Sequence, residues 1–401
     1  MINDNLQHSL SSAIELTLAK KAHPLLQAAA YAVQHANHVT INLTELNNLA
    51  ATLSQDLSPS SGADVCLNLS VDRSNKFGER HWLESAPALV KNFLTTLTLQ
   101  NRILFLTVFH TIGFCYWGNY SENSEKNTRW TVTLPEGDFS ETKYLSTQVF
   151  SKTDLPSTEI PNLESKSKSS SRFDGAMALL VSMAINQDFL DLDYLARLNL
   201  EQFKTLLAGQ LSENIDSLPL LKERHEFIVS LAQKMRSENY LQTLLPLLAT
   251  TSAMALALKL AHELPGYLDI AYYKGKEILF LKRAQLLVSD INHTIQISKI
   301  EELTAFADYK LPQLLRHYQV ISYEPALAKR VDQLSELEPG SEEEVEIRAA
   351  TIIAVELLRQ ELEKSGLATS ASAVDSQLWL LSQRLDKTKL QPYHRCKTVF
   401  Y

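Results

Sequence analysis

Glycine is scarce in this chain, 11 of 401 residues. Because glycine supplies the positive-φ positions of tight turns, so few of them argue against an architecture of many strands joined by hairpins. Cysteine is scarcer still. Cys66, Cys115 and Cys396 are odd in number and show no paired spacing, which excludes a disulfide framework and a Cys-rich zinc site and fits a reducing compartment. Positive charge is not in excess either: 38 Lys and Arg stand against 46 Asp and Glu, a formal net charge of −8. Nucleic-acid binding rests on clustered cations, so this balance speaks against a direct nucleic-acid partner while leaving room for a local pocket that takes one phosphate. No hydrophobic run is long enough to span a bilayer; the longest, Ile103 to Trp117, is interrupted by His110. MINDNLQHSL at the start lacks the charged and apolar regions of a secretory signal. The expectation is a soluble, cytoplasmic protein without a membrane partner.

What the chain does contain is 45% hydrophobic residues and an abundance of Leu, Ala, Glu, Lys and Gln, all good helix formers. This composition predicts a mainly α protein with a sizeable core. Helical periodicity runs from residue 5 to 36 with an interruption near Pro24, and Asn42 followed by Glu45 reads as a cap opening the next helix. Leu57 to Arg80 reads as loop, Glu84 to Trp117 as one or two apolar helices, and RWTVTL (Arg129 to Leu134) as a strand. Residues 140–172 turn to Ser, Thr, Lys and Pro and end in SKSKSSSR, a composition that predicts a mobile loop. Three parts follow: an N-terminal helical part (1–139) contributing to the core, the Ser-rich loop (140–172), and a main helical part (173–401). Within the last, DIAYYKGKEILFL predicts a short hairpin turning at Gly275. Helices are expected near 284–293, 302–318, 324–335, 341–364 and 373–386. Ser341 with Glu344 forms a capping box, and Gly366 a C-cap.

Five peptides in the last 120 residues place charged and aromatic side chains inside apolar helical stretches: KRAQLLVSD, LTAFADYKLPQ, GSEEEVEIRAA, VDSQLWL and PYHRCKTVFY. Such residues cost desolvation energy unless they are paired or used. In FADYKLPQ, Phe306, Asp308 and Tyr309 are read on a helix that Pro312 kinks, presenting a carboxylate beside an aromatic face; the plainer reading pairs Asp308 with Lys310 or a nearby Arg on a solvated face. Asp375 lies three residues after Ser372, the spacing of a capping box. Lys282 and Arg283 open a helix, where two cations and unbonded N–H groups suit a monophosphate or, equally, cover the edge of the core. Arg348 is expected to pair with Glu344 or Glu346, and His394 and Arg395 to anchor the chain end. His35-x-x-His38 has no further ligands at zinc spacing, so no metal site is expected.

In this order the five peptides resemble the queuosine salvage family, which hydrolyses queuosine 5'-phosphate and frees the base queuine for tRNA modification. RHWLESAP (Arg80 to Pro87) and GFCYW (Gly113 to Trp117) resemble two further family motifs. The resemblance implies a fold similar to the helical DNA glycosylases, and the helix–turn–helix reading of Leu311 to Val331 is compatible with it. It also implies an N-glycosylase needing no metal or organic cofactor, with a free nucleotide as its substrate. By resemblance Phe306 stacks on the base, Asp308 is the catalytic carboxylate, and Asp375, with Ser376 beside it, contacts the base; His81 joins the substrate contacts. Ser376 and Leu380 stand where the family often has an aromatic and an acidic residue. Two alternatives are left open: a protein that binds queuine or its nucleotide and releases no base, and, by fold analogy alone and against the net charge, a glycosylase acting on nucleic acid.

Overall fold

The computed structural model describes residues 10–15, 23–56, 86–117, 129–134, 171–208, 212–386 and 388–401. The expected loop at Leu57 to Arg80, His81, and residues 140–170 of the Ser-rich stretch lie outside the described residues. Chain contacts form two units, one of Met1–Trp82 with Leu244–Tyr401 and the other of Leu83–Thr243. The divisions therefore fall after Trp82 and after Thr243, not in the Ser-rich segment.

In the first unit, Pro24 starts a helix where an interruption was expected. Helix α1 (Pro24–Gln34) has Pro at its first position, where the missing N–H costs nothing, and His23 Nδ1 accepts from Leu26 N–H at 3.4 Å. Strand β1 (Val39–Ile41) follows, then α2 (Leu43–Asp56), whose first turn is capped by Asn42 as the sequence suggests. After the second unit come α3 (Ala253–Glu263) and a hairpin of β2 (Ile270–Tyr273) and β3 (Lys276–Leu279). Its two turn residues, Lys274 and Gly275, have φ of +46° and +81°, the double left-handed conformation that matches hairpin twist. Nothing lies within 4 Å of a Cβ built on Gly275. Gly275→Ala is therefore expected to cost only backbone strain, about 1 kcal/mol, read as a small fall in the denaturant midpoint.

Helix α4 (Lys282–Asn292) leaves the hairpin, and α5 (Lys310–His317), β4 (Ile321–Tyr323) and α6 (Pro325–Asp332) follow. The helix expected over 302–318 is shorter than its periodicity suggested. Residues 303–309 run extended or bent, and α5 begins only at Lys310. Pro312 thus stands in the first turn of α5 and kinks nothing, because N–H groups there lack helical partners anyway. Strand β4 pairs antiparallel with β1, Val39 opposite Tyr323 and Ile41 opposite Ile321, which makes the N-terminal segment integral to this unit.

The chain ends with α7 (Glu342–Lys364) and α8 (Ala371–Arg384). α7 reads as polar yet has sixteen buried positions, and it packs on α1, α2, α5 and α8. Ser341 Oγ accepts from Glu344 N–H, Glu344 Oε2 returns to Gly340 N–H, and Gly366 closes the other end at φ +87°, all close to the expected caps. Glu346, wholly buried, accepts N–H bonds from Asn37, His38 and Val39 and a hydroxyl bond from Tyr273. One carboxylate thereby welds the approach to β1 onto α7.

The second unit has helices Ala88–Thr96 and Leu99–Ile112, the split falling at Thr98, which caps the latter. Strand Thr131–Leu134 lies between Ser171–Asp174 and Ser212–Glu213 in a three-stranded antiparallel sheet. Ser171 and Arg172, expected at the end of the mobile loop, are therefore strand residues. Buried Arg224 donates to the carbonyls of Ile112, Phe114 and Cys115 and so fixes the GFCYW peptide. The protein is mainly helical, and among the described residues no helix is long and apolar enough to cross a membrane.

Candidate active site

Three pieces of the first unit converge: the start of α4, the extended segment 303–309, and the first turns of α8. The extended segment is the least regular and the most tightly held. Thr304 N–H donates to Gln285 Oε1 at 2.9 Å, while Gln285 Nε2 donates to the Phe280 carbonyl at 2.9 Å and to Thr304 Oγ1 at 3.1 Å. Phe306 N–H donates to Asp375 Oδ2 at 2.7 Å across 69 residues of sequence. The Ala307 carbonyl accepts from Arg348 Nε at 3.1 Å. An extended segment cannot satisfy its own backbone, so side chains of α4, α7 and α8 satisfy it instead.

Asp308 follows directly. Its Oδ1 accepts from Lys310 N–H at 2.6 Å and Leu311 N–H at 3.3 Å, capping α5. Both bonds fall on one carboxylate oxygen, and the side chain is partly exposed. The solvated Asp308–Lys310 ion pair does not form: Lys310 Nζ lies over the Tyr393 ring at 4.9 Å and 3.4 Å from Gln313 Oε1.

Asp375 is 5% exposed and caps no helix. α8 starts at Ala371, and Ser370 is its cap, accepting from Ala373 N–H at 3.1 Å. The capping-box spacing from Ser372 therefore misleads by two positions, and Asp375 projects from within the helix. Burial pushes its pKa up to about 8 and the Asp308 charge adds to this, while the Phe306 N–H and Lys282 oppose it. Burial thus favours the protonated, neutral form of Asp375. In that form the oxygen that accepts from Phe306 N–H, Oδ2, is the carbonyl-like one, and Oδ1 is the oxygen that would carry the proton. Ser376, one position on, donates to the Ser372 carbonyl at 3.1 Å.

Lys282 and Arg283, read equally as sharing one phosphate or as covering the edge of the core, diverge. Lys282 lies within electrostatic reach of the two carboxyl groups: burial lowers its pKa, the charges of Asp308 and Asp375 work against that lowering, and the charges of Arg283 and Arg348 add to it. Its backbone N–H is spent on Asp269 Oδ2 at 3.2 Å, so the start of α4 is already capped by a carboxylate. Arg283, 1% exposed, instead donates to the Gly266 carbonyl and lies over the Tyr267 ring at 4.8 Å. Consecutive helical residues point about 100° apart, which explains why one joins the site and its neighbour does not.

The structure brings Lys282, Phe306, Asp308 and Asp375 together and sets Arg283 aside. Sequence reasoning missed Asp269. Arg348 pairs with Glu344 as expected, Nη1–Oε1 3.5 Å, but its closer fork is to Asp269, Nη1–Oδ1 3.0 Å and Nη2–Oδ2 2.5 Å. An aspartate in the otherwise apolar GYLDIAYY was the available signal, but its partner lies 79 residues away. His394 and Arg395 are buried near the chain end as expected. His38, Glu342 and Glu346 lie close enough to hold an ion, but Glu346 already spends both oxygens on N–H and hydroxyl donors.

Residues 95–401 match the family model described as queuosine salvage protein. The chain is 39% identical to a queuosine 5'-phosphate N-glycosylase/hydrolase of Sphaerobacter thermophilus over 241 residues, 57% of this chain and 72% of that protein. It is 30% identical to the protein of that name from Mus musculus over 244 residues, 56% of this chain and 71% of the other. For the Dictyostelium discoideum protein the identity is 39% over 142 residues, 34% of this chain and 44% of the relative. With more than half of its length matched by the family model, the chain belongs to the queuosine salvage protein family.

Proposed function

We propose that this protein hydrolyses the N-glycosidic bond of queuosine 5'-phosphate and releases queuine. The observation that carries the reading is the meeting of a partly exposed carboxylate, Asp308, with a buried neutral acid, Asp375, and a lysine, Lys282, beside Phe306. Two carboxyl groups in environments of different polarity can divide the work of bond cleavage between them.

The bond that breaks joins C1' to the base nitrogen, and the sugar passes through an oxocarbenium-like state. Asp308 has its cap bonds on Oδ1, which leaves Oδ2 to face the developing positive charge and to orient water. Water supplies hydroxide to C1' and a proton to the departing base. Queuine has carbon where guanine has N7, so protonation there cannot help it leave. The base must instead be stabilised by hydrogen bonds at its other edges, and the protonated carboxyl of Asp375 gives one. Phe306, fixed through its N–H to Asp375, holds the plane of the base by stacking. Lys282 serves the phosphate-bearing sugar with its ammonium group. His81 and Ser376 remain substrate contacts by resemblance. A free nucleotide, not a nucleic acid, is the partner this reading requires, in keeping with the net charge of −8, and the reducing cytoplasm is its place of action.

Purified protein incubated with queuosine 5'-phosphate should yield queuine and ribose 5-phosphate in equal amounts by mass spectrometry. Saturable binding of the nucleotide without release of base would replace this reading with that of a ligand-binding relative.

A further inference from the structure

Of the five peptides that stand out in the sequence, GSEEEVEIRAA supplies no group to the proposed chemistry, yet it carries the most buried charge. Arg348, 2% exposed, lies in the middle of α7 with the Phe280 ring 3.9 Å and the Tyr401 ring 4.5 Å from its guanidinium carbon. Its planar head meets a carbonyl, the Asp269 carboxylate and, 3.5 Å from Nη1, Glu344 Oε1. Nε donates to the Ala307 carbonyl, and Nη1 and Nη2 fork onto Asp269. Asp269 in turn accepts from Lys282 N–H on Oδ2, while its own carbonyl accepts from Phe280 N–H at 3.0 Å and Leu281 N–H at 3.3 Å.

We infer that Arg348, acting through Asp269, is the positioning residue that sets Lys282 and the Phe306–Asp308 segment in register with one another. The inference rests on the function proposed above. Ala307 lies between the residue that stacks on the base and the residue that faces the sugar, so its carbonyl is the handle by which both are placed. Lys282 begins the helix that Asp269 caps, so the same ion pair fixes the third group. Buried ion pairs add little net stability compared with apolar packing of the same volume, because desolvation offsets attraction. Stability alone is therefore a poor account of this one. A lysine would keep the charge and lose the fork, since an ammonium cannot meet a bidentate carboxylate and a separate carbonyl in one plane.

The test is Arg348→Lys, with Asp269→Asn as the second variant should the first fail to fold. Catalytic groups displaced by about 1 Å lose on the order of 10²-fold in rate, so kcat for queuosine 5'-phosphate is expected to fall about 10–100-fold. KM is expected to stay within about 3-fold, because Asp375 and Phe306 still bind the base. Amide exchange, which needs no substrate, should accelerate at Lys282 and Phe306 and remain slow in the Ile270–Leu279 hairpin. Unchanged kcat per folded molecule, with unchanged exchange at those two amides, overturns the inference. A wild type that releases no queuine, beside an Arg348→Lys variant that still loosens Lys282 and Phe306, overturns the proposed function and upholds the brace.

Discussion

Asp308→Asn is expected to lower the single-turnover rate of queuine release by about 10²–10³-fold, the usual cost of removing one preorganised electrostatic group. The substitution removes the negative charge and little else. Asparagine is as good a cap as aspartate, so Oδ1 can still accept from Lys310 and Leu311, and stability is expected to change by less than about 0.5 kcal/mol. Nucleotide binding should persist, because the base is held through Phe306 and Asp375. A loss of rate accompanied by an equal loss of folded protein would instead assign Asp308 to capping alone. Turnover equal to wild type would remove it from the chemistry.

Asp375→Asn separates a neutral acid from a charged one. The folded pKa of about 8 stands above the ordinary carboxylate value of 3.8. Between these values the folded protein holds a proton that the unfolded chain has lost. Stability therefore falls as pH rises from about 4 to about 8, at up to about 1.4 kcal/mol per pH unit for this group. Asparagine has the shape of the neutral acid and can accept from Phe306 N–H, so that slope should flatten in the variant. If Asp375 passes its proton to the leaving base and the proton of the attacking water replaces it, the rate should also drop by about 10²–10⁴-fold, the range for general acid catalysis; if it gives only a hydrogen bond, the asparagine amide keeps the rate near wild type. The wild-type rate should decline above pH 8 as the acid ionises, and the residual rate of Asp375→Asn should show no such limb. Chemical denaturation between pH 4 and 9, together with a pH–rate profile of each protein, reads both effects. A wild-type slope equal to that of Asp375→Asn over this interval would mean that Asp375 is ionised in the fold.

Much of the architecture is legible locally. The caps at Asn42, Ser341 and Gly366, the hairpin at Gly275 and the extent of α7 all follow from residues within one or two turns. Segment 303–309 is different. Its apolar spacing reads as helix, but its backbone is held extended by Gln285, Asp375 and Arg348, none of them nearby in sequence. Ser372 and Asp375 show the same limit, since capping-box spacing cannot reveal that Ser370 already caps the helix.

By itself the sequence determined the helical class, the caps and turns, and, through its motif order, the family. These depend on propensity, periodicity and short-range hydrogen bonds, which act between near neighbours. Only the tertiary structure decided that Lys282 faces Asp308 and Asp375 while Arg283 turns to Gly266, that Asp375 is buried and neutral, and that Arg348 takes Asp269 as its partner. Burial and long-range pairing fix those outcomes, because the cost of an unpaired charge is set by what the fold places around it.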